Sequence, residues 1–184
     1  MCTYAGPQVD RVSFVSLVQT DVLHAEVVHT SQLRARVEQC LHSREPLAIV
    51  QAVSEYLPYL LGLYDCVLRD TILLRDDVHL TWRSMLVSSK FRLHGLLSEV
   101  CLMHMLYACS LRAEAATIVE ALGAYELGAH DRKACDDRLR VAIDLLCRAS
   151  GVCEYVATQL LPTYPAPPSK SAYPPELVSE GVQA

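Results

Sequence analysis

The sequence predicts a mainly α-helical domain with a small β-hairpin or sheet, and three observations carry that prediction. Apolar residues recur at three- and four-residue steps over much of the chain. Helix-friendly Leu, Ala, Arg and Glu are common, while only 7 glycines are spread over 184 residues. Only Thr71 to Trp82 has strand character. The length suits one domain, and 52% hydrophobic with 20% charged residues is an ordinary folded composition.

Residues 1–17 read as a short lead, broken at Gly6–Pro7. A first helix is expected from about Val18 to His42, with Leu23, Val27, Leu33, Val37 and Leu41 as its apolar positions. Thr30–Ser31 is a candidate interruption, Ser31 capping a second piece. Ser43 to Pro46 forms a turn, and Pro46 suits the first turn of the next helix. That helix carries Leu47, Val50, Val53, Tyr56 and Leu57, and Pro58 should kink or end it.

Thr71–Leu74 and Val78–Trp82 flank Arg75-Asp76-Asp77 and predict a hairpin. Trp82 should be buried where it meets the helices, because a lone hairpin is marginal in water. A long helix follows from about Ser89 to Leu122, apolar on nearly every face between Leu96 and Cys109 and therefore buried. His130 to Asp137 reads as a polar, flexible connection. The last strong helix runs from about Asp136 to Leu161, with Leu139, Ala142, Leu146, Ala149, Cys153, Val156 and Leu160 on one stripe. Residues 162–175 hold six of the nine prolines and read as an inter-helix linker, after which Pro175-Glu176-Leu177-Val178 resembles a helix start.

A net charge of −5 and only three lysines give no electrostatic footprint for nucleic acid, and no basic cluster for an anionic membrane. No transmembrane segment is expected; residues 93–111 come closest, and His94, Glu99 and His104 interrupt them. No signal peptide is expected, and Cys2 stands where a myristoylation start needs Gly. The eight cysteines are read as free thiols in a reducing compartment.

Active-site motifs are missing: there is no phosphate loop, dinucleotide fingerprint, Gly-x-Ser-x-Gly elbow or Cys-x-x-Cys. Cys101 and His104 share a helix face, and with Cys135 or Cys147 they are the nearest approach to a zinc site. Packing between helices explains them better. His24 and His29 diverge on a helix, and Asp76-Asp77 suits a polar turn better than a metal site. Asp136-Asp137 beside Arg138 and Arg140 is a charged helix start. Tyr56, Tyr59 and Tyr64 are read as core packing in preference to a recognition surface. Pro165-Ala166-Pro167-Pro168 is read as linker in preference to a ligand for an aromatic groove. No catalytic, cofactor-binding, metal or binding residue is assigned, no cofactor is expected, and the chain is not expected to be an enzyme.

Three segments, in order, resemble the Bro domain family, the helical scaffold of Alix-type endosomal-sorting proteins. Ala52 to Leu63, reading AVSEYLPYLLGL, is similar to the family's "xYLPxLLGL" segment. Leu80 to Leu86 is similar to its "F-x-W" strand and leads to Glu99–Tyr107, where the family has a long buried helix. Arg140 to Val152 resembles its "A-x-x-x-F-x-x-A-A-G" helix, and Leu161-Pro162 with Pro174-Pro175-Glu176-Leu177 continues in register. The likeness covers roughly Leu47 to Ala184 and is greatest to the short plant-type members, although their lipidation signal is missing.

The resemblance implies a curved, solenoid-like helical domain that is incomplete at its C-terminal side, with residues 18–184 as its N-terminal half. It also implies a non-catalytic adaptor, cytoplasmic and endosome-associated, that serves multivesicular-body sorting. The implied partner is the C-terminal amphipathic helix of an ESCRT-III subunit, and membrane association is peripheral, through partners. The helices that mainly build the family's ESCRT-III groove lie beyond residue 184, so no binding residue carries over. A generic helical scaffold or regulatory protein unrelated to ESCRT is the alternative.

Overall fold

The computed structural model describes residues 12–19, 23–84, 87, 89–123, 132–164 and 173–182. Four long helices build it: α1 (His24–Ser43), α2 (Pro46–Leu68), α3 (Leu96–Gly123) and α4 (Arg132–Tyr155). They pack in sequence, α1 on α2, α2 on α3 and α3 on α4. Two small antiparallel sheets accompany them, β1 (Val18–Gln19) with β2 (Leu73–Leu74), and β3 (His79–Arg83) with β4 (Lys90–His94). The expected mainly helical class with a small β component is what the chain adopts.

In α1 the buried stripe is Val27, Thr30, Arg34, Val37 and Leu41. Thr30 and Ser31 do not interrupt it. Their hydroxyls bond back to the carbonyls of Glu26 (2.7 Å) and Val27 (3.0 Å), which satisfies both hydroxyls within the helix. Ser31 Oγ also accepts the N–H of Phe14 at 3.0 Å, so the described part of the lead packs on α1, with Phe14 fully buried. Arg44 closes the helix in the left-handed region (φ 58°), and Pro46 opens α2. Pro58 does not end α2, which runs on to Leu68. Two buried residues on one side of that helix, Tyr56 and Leu60, hold it in the core across the proline.

The expected hairpin is corrected. Thr71–Leu74 and Val78–Trp82 do not pair with each other. Leu73 and Leu74 pair with Gln19 and Val18, which had been assigned to the first helix. The partner of β3 is Lys90–His94, which had been assigned to the start of the long helix. Alternation decides this: Leu80, Trp82 and Leu93 face the core while His79, Arg83, Lys90, Arg92 and His94 face out. Gly95 then turns the chain into α3 with φ 85°, a conformation open to glycine at little cost.

His130 to Asp137 is corrected in part, because α4 already begins at Arg132; His130 itself lies outside the described residues, as do 1–11, 124–131 and 165–172. The Gly6–Pro7 break and Pro165-Ala166-Pro167-Pro168 fall in those stretches. After α4 a π-helical turn, Val156–Leu160, and a 3₁₀ turn, Leu161–Thr163, end the helix at Pro162. Pro175–Leu177 begins a short helical segment, as its sequence predicts, leading into α5 (Ser179–Val182).

The main core joins α1, α2 and the first half of α3 to β3 and β4. A smaller cluster, Val50, Ala108, Leu111, Ala115, Ala142, Leu145 and Ala149, joins α4 to α3. Among the described residues, α2 is the helix long and apolar enough to cross a membrane by length and composition, although no transmembrane segment is expected from the sequence. Its buried Ile49, Val53, Tyr56 and Leu60 are those of a core helix.

Candidate functional site

The packing of α3 against α4 leaves a groove because both helices present small residues there. Ala108 and Cys109 of α3 face Ala149, Ser150 and Cys153 of α4, and Ala157 extends that wall. Side chains this short cannot fill the space between two helix axes. The result is an open groove of about 640 Å³. Buried Met105 and exposed Arg112 and Glu154 also line it, and Glu176, Gly181 and Val182, from the segment that packs on α3 and the Val156–Leu160 turn, bound it on that side.

Leu146 lines the groove and is 45% exposed. Leu139 and Ile143 continue its stripe along α4 and are also exposed. The stripe expected on α4 is divided in its burial. Ala142, Ala149, Val156 and Leu160 are buried, but Leu139 and Leu146 are not. Ala142, Leu145 and Ala149 of α4 are buried against α3, with Val152 and Cys153 partly buried beside them, and no described element covers the row of Leu139, Ile143 and Leu146. Arg148 secures the pairing by donating to the Tyr107 hydroxyl at 2.5 Å.

The two thiols of the groove are shielded. Burial pushes the Cys109 thiol up to about 11, against a smaller opposing pull from Arg112. Burial raises Cys153 in the same way. Both thiols therefore stay protonated and act as small apolar surface. An apolar lining beside exposed Arg112 and Glu154 suits an amphipathic helix whose apolar side chains enter the gap.

The sequence-nominated residues are dispersed. Cys101 is fully buried, and burial alone pushes its thiol up to about 12. His104 donates from Nδ1 to the Val100 carbonyl at 2.7 Å and packs on Tyr155; burial lowers its pKa. Cys135 and Cys147 sit on α4, and among the described residues no three His, Cys, Asp or Glu converge on a point. The seven described cysteines are free. Asp76 and Asp77 each accept the following backbone N–H at 2.8 Å, the work of a polar turn. Asp137 pairs with Arg140 at 3.3 Å.

The tyrosine cluster divides. Tyr56 is fully buried and donates to Glu99 at 3.2 Å, whereas Tyr59 is 44% exposed and meets the His29 ring edge-on. The sequence shows several lining residues, Leu146, Ala149, Cys153 and Glu176, but not the groove they form. Its signal is a row of small residues, Ala149, Ser150, Cys153 and Ala157, which also reads as ordinary helix packing.

The chain is similar to the pH-response regulator protein palC of Cryptococcus neoformans var. neoformans serotype D (strain B-3501A). The two are 34% identical over 126 residues, which cover 60% of this chain and 26% of the relative. The chain thus spans about a quarter of that relative's length. No family model matches the chain, and no solved structure matches it.

Proposed function

We propose that this chain is part of a non-catalytic Bro-like interaction module, an adaptor of endosomal sorting that receives an amphipathic helix in the α3–α4 groove. The observation that carries the reading is that groove, lined by small and apolar residues and flanked by the exposed Leu139, Ile143 and Leu146. Helix-in-groove recognition needs apolar anchors and no catalytic group. The protonated thiols of the site suit binding, not nucleophilic chemistry.

The Bro resemblance nominates the C-terminal amphipathic helix of an ESCRT-III subunit as the partner, with cytoplasmic residence and peripheral endosomal association through that partner. The relative is named a pH-response regulator, and we place the adaptor in such a pathway. The affinity to short plant-type members rests on the order of the three segments alone. Among the described residues, the α3–α4 groove is the surface to which we assign that helix.

The test is fluorescence anisotropy of a labelled ESCRT-III C-terminal helix peptide titrated with the chain, after circular dichroism confirms folding. Saturable binding is expected, weakened about tenfold or more (about 1.4 kcal/mol) by Leu146→Glu. Leu146 is exposed, so unfolding should shift by no more than about 0.5 kcal/mol. Absence of binding by the folded chain would overturn the adaptor reading for these residues. Binding indifferent to Leu146→Glu would remove the groove from it.

A further inference from the structure

The β3–β4 ribbon ends, on its open side, at the register pair His79 and His94. One Nδ1–H donates to the other Nδ1 across 2.7 Å, a proton that a bound metal would displace, and the rings meet edge to face with centroids 4.7 Å apart. Both rings stand on the exposed face of the ribbon. The backbone beneath them is fixed. Val78 and Leu80 on either side of His79 are buried, the Gly95 N–H donates to the Val78 carbonyl at 2.9 Å, and Ser98 Oγ donates to the His94 carbonyl at 2.5 Å. Strand end and first helical turn therefore hold two imidazoles in a set relation before any ligand arrives.

Converging ring nitrogens are what a transition metal requires. Metal–imidazole bonds of about 2.0–2.1 Å place two nitrogens about 2.9 Å apart at a right-angle bite, and about 3.4 Å apart at a tetrahedral one. The observed 2.7 Å lies nearer the right-angle bite of octahedral or tetragonal Ni²⁺ and Cu²⁺. We propose that His79 and His94 form a two-imidazole binding site for a late first-row divalent metal ion of the Ni²⁺/Cu²⁺ class. Among the described residues no third His, Cys, Asp or Glu joins the pair, so water completes the coordination. The next pairs along the same face are Thr81–Arg92 and Arg83–Lys90. With two imidazoles and no third protein ligand among the described residues, the site suits such an ion and not oxygen-seeking Ca²⁺ or Mg²⁺. Neither imidazole belongs to the groove, and the site stands whether or not the adaptor reading does.

The test is calorimetric titration of the full chain with NiCl₂, since Ni²⁺ does not oxidise thiols as Cu²⁺ does. One Ni²⁺ per chain is expected, with no heat from Ca²⁺ or Mg²⁺. His79→Gln and His94→Gln should each weaken binding about tenfold or more, while His42→Gln, at an exposed position on α1, leaves it unchanged. The unfolding midpoint should rise in about 1 mM Ni²⁺ for the unmodified chain and stay fixed for the double variant. All three histidines are exposed, so the variants are expected to fold, and circular dichroism checks this. No Ni²⁺ binding by the unmodified chain, or equal binding by the double variant, would overturn the proposal.

Discussion

The central polar residues of this fold are a buried set drawn from three helices. Arg34 Nε of α1 donates to Glu99 Oε1 of α3 at 2.5 Å, and the Tyr56 hydroxyl of α2 shares that oxygen at 3.2 Å. All three side chains are fully buried. Burial opposes the charge on Arg34, but Glu99, Tyr56 and Glu38 together more than offset it and the guanidinium pKa is raised overall. Burial, then the Glu99 charge, drive the Tyr56 pKa well upward, so the phenol stays protonated and donates. Breaking such a pair leaves one charge without compensation, whereas replacing both partners is often neutral. Glu99→Gln should therefore cost about 3–5 kcal/mol, and Arg34→Met with Glu99→Leu much less. Urea unfolding measures both; a single variant within about 1 kcal/mol of the parent would show that the charges are better solvated than their burial implies. None of this was legible in the sequence. Arg34 falls on the apolar stripe of α1 between Thr30 and Val37, where a periodicity argument passes over it, and its partner lies 65 positions away.

At the scale of elements, helices were legible and pairings were not. The stripe of α1, the turn at Ser43–Pro46 and the end at Pro162 are local signals, set by neighbours within a turn or two. Strand partners are not local: Leu73 and Leu74 meet residues more than fifty positions earlier. Lys90-Phe91-Arg92-Leu93-His94 sits directly against a strongly apolar helix, and its own alternation is weak, with Phe91 only half-buried. Trp82 was legible, as the largest apolar side chain on the one alternating run. It is fully exposed to the core and closed to water, with its Nε1 lacking a hydrogen-bond partner among the described residues. Its binding to the fold is thus packing, and Trp82→Ala should cost about 3–5 kcal/mol. Denaturant unfolding followed by far-UV circular dichroism reads the loss, and a cost under about 1 kcal/mol would mean that the ribbon repacks around the gap.

The molecule as a whole is tied together by its C-terminal segment, and the groove depends on that tie. Glu176 accepts from Ser84 Oγ at 2.9 Å, joining residues 92 positions apart. Leu177 and Val182 are buried in the main core, and Glu176, Gly181 and Val182 bound one side of the α3–α4 groove. The segment folds back sharply enough that the N–H groups of both Gly181 and Val182 donate to the Val178 carbonyl at 3.0 Å. A Cβ at Gly181 would lie 1.8 Å from the Pro175 carbonyl oxygen, a distance that no side chain tolerates, and the obstacle is backbone. Gly181→Ala must therefore displace α5. Overpacking of this kind costs about 1–3 kcal/mol, and here the relief is to release Val182 from the core. The expected result is a loss in that range by urea unfolding, together with weaker binding of the helix peptide, because the groove loses that side while α3 and α4 are untouched. Unchanged stability would show that α5 already lies off the body. Lost stability with unchanged peptide binding would place the contact nearer Leu146, away from that side.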